Sequence, residues 1–380
     1  MKCMHLSDLH LGKRLIEVSM LEDQAYILKQ IVEIASEERP QVIMISGDVY
    51  DRSNPPVEAM SLFSHFLRDL TALDCQVMVI SGNHDSSERV AYLGDLVCQS
   101  GVYLSPVYNG FFEPVRMEDA FGEVCFWLIP FIHPETVRYY YPEETVTCAN
   151  DAARLVLSSI RLDTKCRNVI LSHQFIAGST FDDQDQRAVG TLDNVDPVLY
   201  DAFDYVALGH IHKAQSIGRC DGTMRYCGTP LKYSKKEAST YKTVTLVDLG
   251  DKGDVRVRTI PLHPLRELRV LRGSFEDLLA NGPDEGCEDD YYFITLTDEI
   301  DPQNAAARLR ERYKRLLTLD YDNTRTRSGG NIVVGKIETE NRRDMELLED
   351  LYRMTHGRDM PNEALAFAER MMRETEGFEE

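Results

Sequence analysis

The chain has 380 residues, of which 43% are hydrophobic and 28% charged, and its formal net charge is −21 at pH 7. This composition is typical of a globular protein, and the length allows a large core with one or two smaller modules. No segment approaches the roughly 18–20 consecutive apolar residues of a membrane-spanning helix, and the N-terminus lacks a signal-peptide pattern, so we expect a cytoplasmic protein without a membrane anchor.

Short apolar strands alternate with helices through the first two-thirds of the chain. The strands are predicted at Met1–Leu6, Gln41–Ile45, Gln76–Ile80, Val124–Phe131, Asn168–Leu171 and Asp204–Leu208. The helices are predicted at Leu21–Glu37, Val57–Leu73, Ser87–Gln99 and Ala149–Ile160. This alternation predicts an α/β layered core. From Gln215 to Leu262 the pattern becomes all-β and closes a first domain, residues 1–263.

A second, smaller α/β module is predicted at residues 264–339. Its elements are the strand Leu268–Leu271, the helix Phe275–Ala280, the strand Tyr291–Thr297, the helix Pro302–Leu317 and the strand Ile332–Gly335. Residues 340–380 follow as two helices, Arg343–Thr355 and Asn362–Glu374, which carry methionine-bearing apolar faces. Such faces at a chain end predict a contact with another protein, although packing onto their own domain is the alternative.

Nine cysteines are scattered along the chain without a Cys-x-x-Cys pair. Their number and spacing predict neither a disulfide framework nor a structural zinc site.

Five strand ends each deliver side chains that commonly bind metal ions. They are Asp8 and His10, Asp48, Asn83 with His84, His173, and His210 with His212. The carboxyl ends of neighbouring strands meet at one edge of a sheet, so these side chains are expected to converge. A set of this size, with one shared carboxylate, suits two divalent ions about 3.5–4 Å apart. Mixed imidazole and carboxylate ligands favour Mn, Fe or Zn over Mg or Ca.

The five blocks, D-x-H, G-D, G-N-H-[DE], H and G-H-x-H, resemble the calcineurin-like metallophosphoesterases, and all occur here in order. The resemblance implies a β-sandwich flanked by helices, which binds two divalent ions. One ion would lie on Asp8, His10, Asp48 and His212, and the other on Asp48, Asn83, His173 and His210. His84 would face the scissile phosphate, where it would stabilise charge or protonate the leaving oxygen.

Asp51 and Arg52 belong to the segment GDVYDRS. In relatives with the pattern G-D-x-x-D-R, the second aspartate orients the catalytic histidine, and the resemblance implies this role for Asp51. Arg52 would contact the phosphate. The alternative is that Asp51 is a turn residue and Arg52 a solvated side chain.

Within the superfamily, the chain resembles the SbcD-like nucleases. The similarity rests on the segment GDVYDRSNPP, on the turn Tyr226-Cys227-Gly228-Thr229-Pro230, and on the order of core, capping module and terminal helices. It implies a manganese-dependent nuclease that degrades double-stranded DNA ends and cleaves single strands and hairpins during end processing, recombination and repair. It also implies a homodimer within a heterotetramer, whose SbcC-like coiled-coil ATPase binds residues 340–380.

Two alternative functions stay open. The first is a metallophosphodiesterase or phosphatase for a smaller phosphoester or a phosphoprotein, which is expected to lack a capping module and partner helices. The second is a non-enzymatic scaffold, which is expected to have lost metal ligands.

The negative net charge of the chain argues against DNA binding. Residues 301–343, however, carry ten Lys/Arg against six Asp/Glu, and this stretch is a candidate DNA-facing surface.

One apolar helix face is larger than is required for packing against a single sheet. It comprises Leu62, Phe63, Phe66 and Leu70, and is joined by Leu93 and Val97 of the next helix. Part of it is predicted to form a helix bundle across a two-fold axis, with burial of the whole face in the core as the alternative.

Overall fold

The computed structural model describes residues 1–180, 194–219 and 221–329, and a few positions between 352 and 368. The predicted strand Ile332–Gly335 and most of the two predicted terminal helices lie outside these residues. The chain divides into two compact units, Met1–Tyr321 and Asp322–Glu380. The predicted boundary at residue 263 stays a prediction, since it falls inside the first unit.

The elements follow one another in mixed α/β order. The strands are β1 (Lys2–Leu6), β2 (Arg14–Leu15), β3 (Val18–Ser19), β4 (Val42–Ser46), β5 (Gln76–Ile80), β6 (Val102–Leu104), β7 (Val115–Asp119), β8 (Gly122–Ile129), β9 (Arg167–His173), β10 (Tyr205–Gly209), β11 (Gln215–Ser216), β12 (Met224–Tyr226), β13 (Thr243–Leu249), β14 (Val255–Pro261), β15 (Leu268–Gly273), β16 (Tyr291–Leu296) and β17 (Arg315–Tyr321). The helices are α1 (Leu21–Glu38), α2 (Val57–Thr71), α3 (Ser87–Ala91), α4 (Gly94–Val97), α5 (Pro134–Tyr140), α6 (Ala149–Ser159), α7 (Phe275–Asn281), α8 (Ala305–Arg312) and, in the second unit, α9 (Thr324–Gly329).

Two six-stranded sheets form the centre of the first unit. Their strand orders are β14-β13-β1-β4-β5-β6 and β11-β12-β10-β9-β8-β7. In each sheet four neighbouring strands run parallel, and antiparallel strands complete the edges. The parallel strands of both sheets carry apolar side chains on both faces, as expected for strands covered on each side.

The two sheets pack face to face, with helices on the outside. Successive residues of a strand point to opposite faces. In β4, Val42 and Met44 therefore join the layer between the sheets, while Ile43 and Ile45 pack beneath helices. α1 and α2 contribute to the outer layer on the first sheet, and α5 and α6 to that on the second. The predicted β-sandwich flanked by helices is confirmed.

A third, parallel sheet, β15-β16-β17, carries the smaller module. The prediction of a helix over Pro302–Leu317 was wrong after Arg312, because α8 ends there and β17 begins at Arg315. β17 pairs with β16 from Tyr291 to Leu296, and this pairing satisfies backbone groups along an otherwise open strand edge. Pairing of this kind outweighs the helical propensity of the Lys314–Leu317 segment.

Polar contacts and a small apolar cluster join this module to the first domain. The Arg266 guanidinium donates to the Asp23 carboxylate at 3.0 Å, and the Tyr291 hydroxyl donates to the same oxygen at 2.8 Å. Leu15 and Met20 of the first domain pack with Leu268, Tyr291 and Phe293 of the module.

The apolar face proposed for dimerisation is largely internal. Phe63, Phe66 and Leu70 are buried in the core of the first sheet, whereas Leu62 and Val97 are only partly buried and Leu93 is 47% exposed. A helix bundle formed by part of this face stays a prediction. The predicted helix Ser87–Gln99 was wrong as a single element, because Leu93 adopts a left-handed backbone (φ 63°) that separates α3 from α4. Among the described residues, no helix has the length and apolar character needed to cross a bilayer.

Arg167 is a buried cation that links the turn between β7 and β8 to the turn after β13. Its guanidinium contacts the Asp119 carboxylate at 2.5 Å and donates to the carbonyl oxygens of Gly122 (2.6 Å) and Gly250 (3.0 Å). Arg167→Met removes the guanidinium from the two carbonyl oxygens and from Asp119, which keeps only the Met1 ammonium and the Phe121 N–H as partners, and is expected to lower the free energy of unfolding by about 3 kcal/mol. Urea denaturation followed by the fluorescence of Trp127, the single tryptophan, measures this loss.

The matched control is Arg68→Met, since the Arg68 side chain is 68% exposed. A change within about 0.5 kcal/mol is expected there. Equal effects of the two substitutions would contradict the role given to Arg167.

Candidate metal centre

The carboxyl ends of strands from both central sheets meet at one edge of the sandwich. β1 and β4 of the first sheet lead to Asp8 and Asp48, and β5 leads to Asn83. β9 of the second sheet ends at His173, and β10 leads to His210. Because both sheets contribute, neither of them alone could assemble this set.

The backbone at several of these residues is unusual. Asp8, His10, Asp48 and His210 all have positive φ angles, of 53°, 45°, 47° and 109°. L-residues rarely adopt this region, and such conformations concentrate at functional sites. The Asp8 N–H donates to the Gly47 carbonyl at 3.0 Å, and the His10 N–H to the Asp48 carbonyl at 3.0 Å. These bonds hold the two loops side by side.

Close packing of the loops explains one of the motif glycines. A Cβ atom at Gly209 would overlap the carbonyl oxygen of Ser46. Only glycine therefore lets the strand end before His210 approach the strand end before Asp48.

Asp8, His10 and His212 form the first group of donors. One side-chain donor atom from each lies within 4.8 Å of the others. The Nε2 atoms of His10 and His212 are 3.1 Å apart, and Asp48 Oδ2 lies 3.7 Å from His10 Nε2. Two neutral imidazoles whose nitrogen lone pairs face each other need a proton or a cation between them.

Asp48, Asn83, His173 and His210 form the second group. Asp48 Oδ2 lies 3.4 Å from His173 Nε2. Asn83 Oδ1 is 3.1 Å from the same nitrogen and 2.9 Å from His210 Nδ1. Asp8 also approaches Asp48 and His173 to within 4.8 Å. The structure thus brings together all seven residues predicted as metal ligands.

The electrostatics of these donors suit divalent cations. Burial raises the pKa of Asp8 to about 6 and lowers that of His210 to about 3. Burial also opposes ionisation of Asp48, but His173 and His10 hold the pKa of this carboxylate well below its usual range. Although burial opposes its charge, Asp48 raises the pKa of His173 to about 9, so a divalent cation would displace a ring proton there. The buried carboxylates and the imidazole nitrogens would then offer charge and lone pairs to the cation. The donor set therefore fits the divalent ions implied by the sequence motifs.

His84 lies beside these donors, with an exposed side chain. Its backbone N–H donates to Asp48 Oδ1 at 2.9 Å, and its ring Nδ1 lies 3.0 Å from the backbone carbonyl oxygen of Asp51. The sequence predicted that the Asp51 carboxylate orients His84, whereas the hydrogen bond found involves the backbone. The carboxylate instead accepts from Lys13 at 2.7 Å, and Arg52 is 78% exposed.

Asp85 supports the site, although sequence reasoning assigned it no role. Its carboxylate accepts the N–H groups of Val49 (3.0 Å) and Tyr50 (2.9 Å) in the loop of Asp48, and that of Gly82 (2.9 Å) in its own loop. Asp85 thus fastens these two loops together. The sequence feature that could have identified Asp85 is its position at the end of the G-N-H-D block.

Glu237 was also missed, and no local pattern marks it. Its side chain is 1% exposed, with Oε1 3.7 Å from His212 Nδ1 and Oε2 2.6 Å from Lys242 Nζ. Lys242 also donates to the Thr229 hydroxyl at 2.6 Å and to the His212 carbonyl at 3.1 Å. Although burial opposes its charge, Lys242 keeps the pKa of Glu237 below its ordinary value. A carboxylate behind a histidine orients the ring towards a metal ion.

A cavity of about 330 Å³ adjoins the second group of donors. Asn83 and His210 line one side, and Phe131, His133 and Phe175 line the rest together with other residues. The Phe131 ring lies nearly parallel to that of His210, with 6.4 Å between centroids. The aromatic walls leave room for a substrate group beside the candidate metal centre.

Glu237→Gln removes the charge behind His212 and is expected to weaken divalent-ion binding about 10- to 100-fold. Calorimetric titration with Mn²⁺ measures the affinity. Glu33→Gln is the control, since the Glu33 side chain is 62% exposed. A Glu237→Gln protein that loses stability but keeps its ion affinity would reduce Glu237 to a structural role.

Comparison with known proteins agrees with this geometry. Residues 1–214 match the family model described as calcineurin-like phosphoesterase, and residues 264–356 match that described as type 5 capsule protein repressor C-terminal domain. The chain is 29% identical over 360 residues to the SbcD component of the nuclease SbcCD from Staphylococcus epidermidis, an alignment that covers 93% of each chain.

A solved dimetal phosphatase from Danio rerio is 12% identical, with a TM-score of 0.37, over 69% of this chain and 99% of that one. The family match spans more than half of the chain, and the predicted resemblance to SbcD-like proteins is confirmed. Members of this family use divalent metal ions, and the donor set described above is suited to them. The chain belongs to the calcineurin-like phosphoesterase family.

Proposed function

We propose that the chain is a DNA nuclease that uses two manganese ions to hydrolyse phosphodiester bonds. It digests double-stranded ends, cleaves single strands and opens hairpins. The observation that carries the proposal is the complete donor set around Asp48, which lies beside the exposed His84 and an aromatic cavity. Similarity to a component of a nuclease over 93% of the chain favours DNA over smaller phosphoesters.

The proposed ion assignment divides the donors into two groups that share Asp48. Asp8, His10 and His212 complete the first group, and Asn83, His173 and His210 complete the second. When bound, the two ions act as Lewis acids on the phosphodiester and activate the attacking water. Oxygen and imidazole donors suit Mn²⁺.

His84 acts on the phosphate in this proposal. Donation from its Nδ1–H to the Asp51 carbonyl directs Nε2 away from the loop. From this position it can stabilise charge on the phosphate and protonate the leaving oxygen. Arg52 is exposed nearby and contacts a neighbouring phosphate.

Two surfaces are suited to bind parts of the DNA other than the phosphate at the metal centre. Phe131 and Phe175 in the cavity offer rings on which an unpaired base can stack. In the smaller module, Arg308, Arg310, Arg312 and Lys314 are exposed on and just after α8. Basic side chains clustered in this way bind backbone phosphates, in spite of the acidic chain as a whole.

The proposal includes two protein partners. The Staphylococcus relative is by name one component of a nuclease, SbcCD. We expect residues 340–380 to bind an SbcC-like coiled-coil ATPase, and the chain to form the homodimer of a heterotetramer. Leu93 and Leu96 are 47% and 65% exposed, and Met60 of α2 is 46% exposed. These side chains, rather than the buried face of α2, supply the dimer surface.

Purified protein with Mn²⁺ is expected to cleave a labelled hairpin duplex much faster than a chromogenic phosphodiester. His84→Ala should abolish cleavage but retain both ions, because His84 contacts the substrate and not the metal. Asp48→Ala should lose both activity and metal, since it removes the shared ligand. Gel electrophoresis and elemental analysis supply the two measurements.

His65→Ala is the matched control, because His65 is an exposed histidine on α2. It is expected to leave cleavage unchanged. If the protein hydrolysed the chromogenic compound efficiently and left the hairpin uncut, the small-substrate alternative would be favoured. Loss of metal from His84→Ala would show that His84 is a ligand.

Deletion of residues 340–380 is expected to abolish co-purification with the ATPase and any ATP-stimulated digestion of duplex ends. Mn²⁺-dependent cleavage of single strands should survive, because every proposed metal ligand precedes the deletion. Co-expression with affinity capture tests the first point. A complex that still forms would place the partner on another surface.

Leu96→Glu is expected to convert a dimer to a monomer at micromolar concentration, since it buries a charge at the proposed apolar contact. Sedimentation velocity measures the change. Leu265→Glu, at an exposed leucine in the region linking the two modules, serves as the control. A wild-type chain that sediments as a monomer would remove the dimer from the proposal.

A further inference from the structure

Two cysteines that are distant in sequence come together with a glutamate at the end of the second sheet opposite the candidate metal centre. Glu123 and Cys125 lie on β8, and Cys166 directly precedes β9. One donor atom from each lies within 4.8 Å of the other two. Glu123 and Cys125 face the same side of the strand because they are two residues apart. β9 separates Cys166 from His173 by roughly 20 Å.

The surroundings hold these side chains in place. The Cys166 thiol donates to Glu123 Oε2 at 3.1 Å. Asn168 donates to the backbone carbonyls of Asp163 (2.9 Å) and Cys166 (3.0 Å), and its own side-chain oxygen accepts from the Trp127 indole at 3.2 Å. The loop before β9 is thereby fixed against β8.

The cluster already attracts a cation. The Arg116 guanidinium lies 3.0 Å from Glu123 Oε2 and 3.6 Å from Cys125 Sγ. Arg116 reaches this position because it is paired with Cys125 across β7 and β8. It is the positive group that neutralises the acceptors here, and its exposed side chain can move aside.

We infer that Glu123, Cys125 and Cys166 form a separate metal site, which takes a borderline-soft divalent cation such as Zn²⁺. Two sulfur donors and a carboxylate are a donor set that zinc prefers, and that Mg²⁺ and Ca²⁺ do not. The bound ion ties β8 to the loop before β9. The inference is independent of the proposed nuclease function.

The thiols bind the ion as thiolates, so each releases one proton to solvent. The hydrogen bond to Glu123, together with burial, raises the pKa of Cys166 to about 12, and burial raises the pKa of Cys125. Ion affinity is consequently expected to rise with pH, because protons compete with the ion for sulfur.

Cobalt titration of the full-length, reduced protein tests the site. Co²⁺ bound to thiolate gives a sulfur-to-cobalt charge-transfer absorption, which the nitrogen and oxygen donors around Asp48 cannot produce. We expect the band at saturation to correspond to one cobalt ion per chain in addition to those held around Asp48, to disappear in Cys166→Ser, and to remain in Cys98→Ser and Asp48→Ala. Cys98 is the matched control because it is also a partly exposed cysteine.

Arg116→Gln provides a second test that leaves both cysteines in place. Removal of the competing charge is expected to tighten cobalt binding on the order of tenfold. Absence of the band in the wild-type protein, or its survival in Cys166→Ser, would overturn the inference. A second contradicting result would combine two observations. Mass spectra of protein purified without reductant would show a Cys125–Cys166 disulfide, and no cobalt band would appear after its reduction.

Discussion

The buried carboxylate of Asp48 joins the two halves of the candidate metal centre. Oδ1 accepts the backbone N–H of His84, and Oδ2 faces one imidazole from each donor group, on His10 and His173. One side chain therefore positions the proposed acid and both proposed ions. Because Asp48 is only 2% exposed, its charge has to be balanced from within the protein. Divalent cations bound by Asp48 and the surrounding imidazoles would meet that requirement.

The sandwich architecture positions the Asp48 carboxylate among its neighbours. Asp48 follows a strand of the first sheet, whereas His173 and His210 follow strands of the second. The apolar layer between the sheets fixes the distance across which these side chains meet. It also stabilises the left-handed backbone at Asp48 and His210, which costs about 1–3 kcal/mol at each residue. Asp85 and Glu237 then restrain the loops and rings that the strands alone leave free to move.

The predictions from sequence were most accurate for strands and candidate metal donors, which depend on local residue spacing. Strand Gln76–Ile80 was predicted to the residue, and the seven candidate donors were predicted because they lie in five short blocks at the ends of apolar strands, in an order that resembles the metallophosphoesterases. The Pro302–Leu317 helix was overextended because β17 is stabilised by pairing with a distant strand, which local propensity does not report. Glu237 and the pair Cys125 and Cys166 were missed for the same reason. Their partners are distant in sequence, and only the folded chain brings them together.

The central claim is that one carboxylate, Asp48, is shared between two metal ions. Electron paramagnetic resonance of the protein titrated with Mn²⁺ tests it most directly. If Asp48 bridges the ions, the spectrum at two equivalents should be that of an exchange-coupled manganese pair. Asp48→Asn should abolish the coupling. Two independent mononuclear manganese signals in the wild-type protein at full occupancy would contradict the claim.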